Sequence, residues 1–296
     1  MTDDEILQRP VVILGSPRSG TTLVSQVLRR HPEVYLANEP RILWKLGNDA
    51  RSDALRPRDA RPDVVASIRR GLAKQVREAG RTRLVEKTPS NALRLGFVDS
   101  VLPGAVYLHV MRSGVESVLS IRSFWDKHAT GMVSVKQKLL WQRLREMRPT
   151  QAPHYAKEFA RRALGKVAPK SVGPPVWGPR PPGISEMARD LDPLEVCAWQ
   201  WRMCVEHTCT EGRKLPPNRY TEFRLEEIDE PLLVRLMEFA GLTPSDEVLE
   251  TFRARFDASK PSGRSKQGAD ADVERARELA APTEAWLATL PSASRH

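Results

Sequence analysis

A glycine-bounded loop rich in hydroxyl groups follows a short apolar run near the start of the chain. The run Val11–Leu14 leads into Gly15-Ser16-Pro17-Arg18-Ser19-Gly20-Thr21-Thr22, and from Thr21 onward apolar residues recur at helical spacing. A buried strand, a loop and a helix in this order direct several backbone N–H groups and the positive helix end at one point. The glycines let a ligand approach the backbone closely. The loop therefore predicts a phosphate site formed by Ser16, Pro17, Arg18, Ser19, Gly20, Thr21 and Thr22.

This loop differs from the GxxxxGK[ST] pattern of ATP- and GTP-binding loops. Thr21 occupies the position of the lysine that normally reaches the β- and γ-phosphates. The missing lysine argues against transfer of a γ-phosphoryl group. Arg18 inside the loop supplies instead a fixed positive charge for a 5′-phosphate and for a group transferred from it. A P-loop kinase or nucleoside triphosphatase stays open as the alternative function, and a nucleotide-binding scaffold without catalysis is a third.

A second basic element follows another predicted buried strand and enters a helix. It reads Val110-Met111-Arg112-Ser113-Gly114, with Ser120 about two helical turns further along. An arginine binds phosphate through two parallel hydrogen bonds, and Ser120 can meet the same anion if the loop folds back. Taken alone, the segment fits a capped helix with a solvated arginine equally well. Its occurrence together with the first loop favours a second phosphate site.

At these residues the chain resembles the sulfotransferase family. Gly15–Thr22 is similar to the family's 5′-phosphosulfate loop, and Leu28-Arg29-Arg30-His31-Pro32-Glu33-Val34 is similar to its continuation. The likeness is greatest to the branch with the tyrosylprotein and many bacterial sulfotransferases. It covers residues 9–130 well and 193–242 weakly. It implies transfer of a sulfuryl group from 3′-phosphoadenosine 5′-phosphosulfate (PAPS) to a hydroxyl or amine, with 3′-phosphoadenosine 5′-phosphate (PAP) as product.

The same resemblance assigns roles to individual residues. Arg112 and Ser120 match the pair that clamps the 3′-phosphate in the family. A catalytic glutamate in the segment Ala37-Asn38-Glu39-Pro40-Arg41 makes Glu39 the candidate base, with Glu33 as its rival. Lys87 lies in a Lys-Thr-Pro turn whose lysine stabilises the bridging oxygen as the nucleotide leaves. Arg18, Glu39 and Lys87 are therefore the predicted catalytic residues.

Two late segments resemble the family only loosely. Lys260–Lys266 is a basic, glycine-containing stretch like the loop that closes over the nucleotide, so Ser262, Gly263 and Arg264 are further predicted nucleotide contacts. Arg224-Leu225-Glu226-Glu227-Ile228 stands where the family usually has Arg-Tyr-Glu-Asp-Leu. A solvated basic turn explains the first segment equally well.

The elements that must position these residues alternate between strands and helices. Apolar runs predict strands at 9–14, 84–86, 105–110 and 218–225, and helical spacing predicts helices at 63–79, from 114, at 193–211 and at 231–240. Such alternation predicts the α/β class, with a P-loop-type, mostly parallel sheet flanked by helices. We expect one domain over 1–296, with 131–192 as a proline-rich insert or lid. Segment 47–62 is expected to be a surface loop.

Several side chains that could do chemistry are expected to pack instead. Cys197, Cys204 and Cys209 match no zinc or redox spacing, and no histidine pair has metal-ligand spacing, so we expect no metal. His109 lies inside a predicted strand and is interpreted as a packed histidine. The side chains of Trp125, Trp141 and Trp177 either line an acceptor pocket or lie in the core.

Composition sets wide limits on function. The formal charge of +10 favours polyanionic ligands but fits an arginine-rich protein equally well, and the 40% of hydrophobic residues argues against global disorder. No apolar run approaches the roughly 20 residues of a membrane span, and the acidic N-terminus does not resemble a signal peptide. We therefore expect a cytoplasmic enzyme. Its acceptor is a small molecule, glycan, lipid or peptide, nucleic acid is not expected as a partner, and a homodimer stays open.

Overall fold

The structure is a computed structural model that describes residues 1–129, 147, 149–157, 160, 176–256 and 270–290. In these ranges five strands form one sheet in the order β2-β3-β1-β4-β5, and every neighbouring pair is parallel. The strands are β1 Val11–Leu14, β2 Val34–Asn38, β3 Arg83–Lys87, β4 Val106–Met111 and β5 Tyr220–Arg224. The helices are α1 Asp3–Ile6, α2 Thr21–Leu28, α3 Arg41–Trp44, α4 Pro62–Glu78, α5 Leu95–Val101, α6 Gly114–Ala129, α7 Ile184–Asp190, α8 Pro193–Gly212, α9 Glu230–Phe239, α10 Asp246–Arg255 and α11 Asp270–Thr289.

The apolar runs of the strands follow from burial on both faces of the sheet. All four residues of β1 are completely buried: Val12 and Leu14 face one hydrophobic layer, whereas Val11 and Ile13 face the other. Side chains of a strand point alternately to the two faces, so a strand covered on both sides needs apolar residues throughout. Helices α4 and α5 cover the first face, and α2, α9 and α10 cover the second.

A third hydrophobic cluster lies beside the end of β4. It is built from helices α6, α7, α8 and α11, and it contains Met111, Trp125 and Trp201. Cys197 and Cys209 are buried in the same cluster and Cys204 is buried beside it; all three are free thiols, as predicted. This cluster fixes the position of helix α6, and Ser120 lies on that helix.

The strand order creates a crevice at the end of β1. Strands β1 and β4 are neighbours, but the chain leaves β1 toward β2 at one edge of the sheet and leaves β4 toward β5 at the other edge, so these two connections run in opposite directions. Ligands of open α/β sheets bind outside the carboxyl ends of the strands at such a point. The register pairs Ile13 with Lys87 and Leu14 with His109, which brings the segments after β1, β3 and β4 to one edge.

The predicted α/β class and parallel sheet are confirmed, and the predicted elements lie within a few residues of the observed ones. The sequence interpretation missed strand β2, which pairs with β3 at the sheet edge. Segment 47–62 is partly internal, since Leu55 and Asp59 are buried. None of the described helices combines the length and the hydropathy that a membrane crossing requires.

Candidate nucleotide-binding and active site

The loop after β1 turns tightly and opens helix α2. The Ser19 amide donates to the Ser16 carbonyl at 3.2 Å, and Gly20 forms the helix N-cap with a left-handed φ of 100°. No side chain among the described residues caps this helix. The first N–H groups of a helix have no partner within it, so those of α2 face the crevice as donors for an anion.

Close packing inside this loop explains Gly15. A Cβ atom at Gly15 would lie 2.5 Å from Ser19 Oγ and 2.6 Å from the Val110 carbonyl oxygen, which is backbone and cannot move aside. The Oγ atom of Ser19 is buried and has no hydrogen-bond partner among the described residues. A buried hydroxyl group without a partner is costly. The loop therefore fits a 5′-phosphate group whose oxygens would accept these hydrogen bonds.

Two predicted catalytic residues have unusual backbone conformations. Arg18 has a φ of 68° and Glu39 a φ of 58°, and they are the two non-glycine residues with positive φ in the described ranges. Such conformations cost on the order of 1–3 kcal/mol and cluster at functional sites. Their coincidence with Arg18 and Glu39 supports a functional role for both residues.

The two predicted phosphate-binding elements meet in space. The Nε atom of Arg18 donates to Ser120 Oγ at 3.0 Å, and an Nη atom of Arg112 lies 3.5 Å from the Arg18 carbonyl oxygen. The guanidinium of Arg18 also lies 5.1 Å from the ring centre of Phe124. Phe124 lies one helical turn after Ser120 on α6 and therefore on the same helix face. Sequence reasoning missed Phe124, although the four-residue spacing was a usable signal.

Arg112 already binds a carboxylate. Its side chain is 2% exposed, and its Nε atom donates to Glu116 at 2.8 Å while a second nitrogen contacts the same oxygen. Glu116 was not predicted, although it stands only four residues after Arg112, in the first turn of helix α6. A buried guanidinium that holds a carboxylate oxygen is suited to hold a phosphate oxygen. The predicted 3′-phosphate site therefore has the right chemistry, with Glu116 as an internal competitor.

The start of α6 is capped by two further carboxylates. The Ser113 amide donates to Glu226 at 3.0 Å and the Gly114 amide donates to Glu284 at 2.7 Å. Glu226 belongs to the Arg224–Ile228 segment that departs from the family pattern, and Glu284 belongs to α11. Both carboxylates stabilise the positive end of α6 and fix the backbone beside Arg112.

Glu39 and Lys87 form an ion pair between neighbouring strands. Lys87 Nζ donates to Glu39 Oε1 at 2.8 Å, and Arg41 donates to the other carboxylate oxygen at 2.7 Å. The Glu39 amide also donates to the Lys87 carbonyl at 2.8 Å. Burial tends to raise the pKa of Glu39, but Arg41 and then Lys87 outweigh burial and hold the pKa below its ordinary value. The free protein thus keeps Glu39 ionised, the form that accepts a proton.

Glu86 ties the segments on both sides of this pair together. It is fully buried and accepts hydrogen bonds from Trp44 Nε1 at 2.9 Å, from Asn91 Nδ2 at 2.8 Å and from Thr88. Trp44 ends the helix that begins at Arg41, and Thr88 and Asn91 lie in the turn after Lys87. Burial raises the pKa of Glu86 to about 7. In the sequence, the one indication of a role for Glu86 is that a charged residue stands at the end of an apolar strand.

Other predicted residues lie elsewhere or form structural contacts. Glu33, the rival base, is exposed and precedes β2, whereas Glu39 follows β2 at the crevice edge. Glu33 is therefore at the wrong end of the sheet for the predicted role. Trp125 is packed in the third cluster, and Trp177 is partly buried against it. The predicted contacts outside the described residues are Ser262, Gly263 and Arg264, together with Trp141.

His109 is fully buried, as predicted, and burial lowers its pKa to about 3. Its Nδ1 atom lies 2.8 Å from the Tyr220 hydroxyl, which donates to Glu222 at 2.9 Å; Arg213 pairs with the same carboxylate. Atoms of His109, Cys209 and Glu222 lie within 4.8 Å of one another, as metal ligands could. The Nδ1 atom of His109 and the Glu222 carboxylate already form hydrogen bonds, so we interpret the cluster as a packed polar chain. The buried Nε2 atom of His109 has no hydrogen-bond partner among the described residues.

Comparison with known proteins adds family and fold. The sequence model of the sulfotransferase family matches residues 10–164, which include both predicted phosphate-binding elements, Glu39 and Lys87. The nodulation protein NoeE of Sinorhizobium fredii (strain NBRC 101917 / NGR234) is 30% identical over 129 residues, covering 38% of this chain and 31% of NoeE. An uncharacterised protein of Aquifex aeolicus (strain VF5) is 28% identical over 139 residues, covering 42% of this chain and 18% of the relative. The chain thus matches less than a third of either relative.

Solved structures share the fold over nearly the whole chain. The sulfotransferase domain from the Synechococcus PCC 7002 olefin synthase superposes with a TM-score of 0.51 at 16% identity, covering 96% of both chains. The sulfotransferase STF9 from Mycobacterium avium gives a TM-score of 0.51 at 15% identity, covering 97% of this chain and 78% of the other. Since the family model matches more than half of the sequence, the chain belongs to the sulfotransferase family.

Proposed function

We propose that this protein transfers a sulfuryl group from PAPS to an acceptor hydroxyl or amine by in-line displacement. Family membership indicates a transferase of this type, and PAPS is the donor that the family generally uses. The observation that carries the proposal is the hydrogen bond between Arg18 and Ser120, which joins two anion-binding elements 102 residues apart. A nucleotide with phosphates at both ends of its ribose needs two such elements side by side.

The proposed donor site uses the chain's own donors at each end. Ser16, Pro17, Ser19, Gly20, Thr21 and Thr22 surround the 5′-phosphosulfate, and Arg18 neutralises its charge. Arg112 and Ser120 hold the 3′-phosphate. To bind this phosphate, Arg112 releases the carboxylate of Glu116. The bound donor supplies the sulfuryl group and a stable leaving phosphate. Ser262, Gly263 and Arg264 stay predicted contacts, supported by the family resemblance alone.

Glu39 is the proposed base. Its carboxylate would accept the proton of the acceptor hydroxyl as the oxygen attacks, which general-base catalysis requires at hydrogen-bond distance. Lys87 and Arg41 each hold one carboxylate oxygen, so they fix the direction in which the remaining lone pairs point. The left-handed backbone at Glu39 and its amide bond to Lys87 fix the carboxylate further.

Lys87 has a second proposed task. Its ammonium group is 2% exposed and lies at the carboxyl end of β3, beside the loop that holds the leaving phosphate. Negative charge that develops on the bridging oxygen is stabilised best by a charge that is already in place. A sulfuryl group carries less charge than a γ-phosphoryl group, so cationic side chains suffice without Mg²⁺.

The remaining assignments belong to the same proposal. The acceptor is a small molecule, glycan, lipid or peptide, and the enzyme requires no metal. A cytoplasmic location, the absence of a nucleic-acid partner and the possibility of a homodimer rest on sequence alone. The P-loop kinase alternative has no support from the site, because Thr21 replaces the phosphate-binding lysine.

PAPS turnover tests this proposal. The purified chain would be incubated with PAPS and excess chelator, with phenolic, sugar and peptide acceptors in parallel, and PAP release and acceptor mass would be measured. We expect PAP release with the chelator present and a sulfated product with at least one acceptor class. Consumption of ATP·Mg²⁺ without any PAP release from PAPS would overturn the proposal in favour of a kinase or triphosphatase.

A further inference from the structure

Residues Trp177 to Arg180, here called the strap, contact the phosphate-loop side of the site at one end and Asp53 at the other. The strap lies within the segment that sequence analysis predicts to be an insert or lid. The buried side chain of Gln200 donates to the carbonyls of Trp177 at 2.9 Å and of Pro179 at 2.7 Å, which fixes the strap to helix α8. The strap is therefore held in a fixed position against helix α8.

One end of the strap contacts the phosphate-binding side. The Trp177 ring lies 4.3 Å from the ring of Phe124, which in turn lies beneath the guanidinium of Arg18. A Cβ atom on Gly178 would lie 3.5 Å from Pro17 of the phosphate loop. Gly178 has a φ of 89°, a conformation that favours glycine, so the chain can turn here.

The other end of the strap is held by Asp53. The amide of Asp53 donates to the Arg180 carbonyl at 2.9 Å, and the Arg180 amide donates to Asp53 Oδ2 at 2.8 Å. The same carboxylate oxygen accepts the Ser90 hydroxyl at 2.9 Å. Ser90 lies three residues after Lys87, in the turn that Lys87 begins. One carboxylate thus joins the strap to the lysine turn.

Charge holds Asp53 at this junction. Its carboxylate is 13% exposed and lies 3.9 Å from Lys45 Nζ and 3.8 Å from a nitrogen of the buried Arg94. A buried cation needs a nearby anion, because desolvation otherwise disfavours its charge. Loss of the Asp53 carboxylate or of its cationic neighbours would therefore leave a poorly solvated charge without its partner.

We propose that Asp53 is a positioning residue that holds the strap and the Lys87 turn in one fixed relation. An acceptor that rests on the strap is thereby placed next to Lys87 and Glu39, with its attacking oxygen in line with the bond that breaks. This inference rests on the proposed sulfuryl transfer. Asp53 itself contacts no reacting atom. Misplacement of reacting groups by about 1 Å can cost roughly 100-fold in rate, so the link should affect turnover more than nucleotide binding.

The test compares Asp53→Ala, Ser90→Ala and the double variant in the full chain. PAP release from PAPS is measured in buffer alone and with 4-nitrophenol, and PAP affinity is measured by calorimetry. We expect each single variant to lower kcat about tenfold, the double variant to be no slower than the slower single variant, and the Kd of PAP to stay within twofold. Asp53→Asn, which keeps an oxygen for both donors, should retain most of the rate.

Asp99→Ala is the matched structural control. Asp99 is also a partly buried carboxylate that accepts a hydroxyl, from Tyr107 at 3.0 Å, and pairs with Arg219, away from the crevice. The Asp99→Ala variant should have a lower melting temperature than wild type and an unchanged kcat. Multiplicative losses in the double variant, or an unchanged kcat in Asp53→Ala, would overturn the positioning role. A wild-type chain that neither binds PAP nor releases it from PAPS would sink the proposed function, and the inference with it.

Discussion

Arg18 and Ser120, which are 102 residues apart in sequence, are joined by a hydrogen bond of 3.0 Å from Nε to Oγ. Arg18 belongs to the loop after β1 and Ser120 to the helix after β4, and these strands are neighbours in the sheet. The bond fixes the distance between the two proposed anion-binding elements before any ligand arrives. Preorganised charge of this kind needs little rearrangement when a nucleotide binds.

Loss of the loop arginine should stop turnover. Arg18→Ala removes the charge proposed to stabilise the transferred group and frees Ser120, so we expect kcat to fall by at least about 100-fold. PAP release from PAPS measures this. Arg29→Ala, an exposed arginine just after helix α2, is the control and should match wild type. Wild-type turnover in Arg18→Ala would exclude Arg18 from the chemistry.

The carboxylate of Glu116 should compete with the nucleotide. Glu116→Gln removes the negative charge that Arg112 now binds, so we expect PAP to bind a few times more tightly, by calorimetry at low salt. Glu195→Gln, at a half-buried, ion-paired glutamate near the start of α8, should leave PAP affinity unchanged. Weaker PAP binding in Glu116→Gln would mean that Glu116 orients Arg112 and does not compete for it.

Removal of the proposed base should affect rate and spare affinity. Glu39→Gln keeps the shape of the side chain but cannot accept a proton, so we expect kcat to fall by about 100-fold or more while the Kd of PAP changes little. The measurement pairs PAP release with calorimetry. An unchanged kcat would remove Glu39 from the mechanism.

The pH dependence of turnover should report the neighbours of Glu39. Burial raises the pKa of Glu39, but Arg41 and Lys87 together lower it by more, so the pKa lies below its ordinary value of 4.5. The acidic fall in kcat should therefore lie below pH 4.5 in wild type. Arg41→Ala removes the larger of the two lowering influences and should move that fall to higher pH. The same sign applies to stability: the Glu39 contribution is present above its unfolded pKa and is lost as pH falls. An unmoved acidic limb in Arg41→Ala would contradict this account.

Buried Glu86 should make the fold less stable as pH rises. Its pKa is raised from 4.5 to about 7, so the unfolded chain releases this proton first. Below pH 4.5 both states keep the proton. Between pH 4.5 and 7 the free energy of unfolding should fall, by on the order of 3 kcal/mol in total. Urea unfolding at several pH values measures the slope, which Glu86→Gln should lack.

Exposed Glu78 supplies the control for that slope. Its side chain is 64% exposed and pairs with Lys74 at 3.6 Å. Glu78→Gln should keep the wild-type pH dependence of unfolding. The explanation from Glu86 fails if Glu86→Gln keeps the full slope as well.

Local pattern was enough to predict most of the architecture. Strand β1 is apolar throughout and β4 is apolar except for His109, so their apolar runs indicated both strands. The start of α2 follows its glycine-containing loop, which indicated where that helix begins. Strand β2 escaped because Val34-Tyr35-Leu36-Ala37-Asn38 is a short edge strand whose sides are only partly buried. A short mixed run carries no clear period, and its pairing with β3 decides its structure.

The site was predictable where one segment carries the whole motif. The phosphate loop and the Arg112–Ser120 spacing are of this kind, and their proposed roles stay predictions. Contacts between distant segments were not predicted: Glu39 with Lys87, and Ser90 with Asp53, meet only through the parallel register and the loops beyond it. Proximity across a sheet edge is a property of the fold and is absent from the local sequence.

Calorimetry that separates the two ends of the nucleotide tests the central claim most directly. PAP and adenosine 5′-monophosphate, which differ only in the 3′-phosphate, would be titrated without Mg²⁺ into wild type and Arg112→Ala. We expect PAP to bind wild type about 10- to 100-fold more tightly than the monophosphate, from the hydrogen bonds of one charged group. That preference should vanish in Arg112→Ala. Equal affinity of wild type for both ligands, or a PAP preference that survives in Arg112→Ala, would contradict the account.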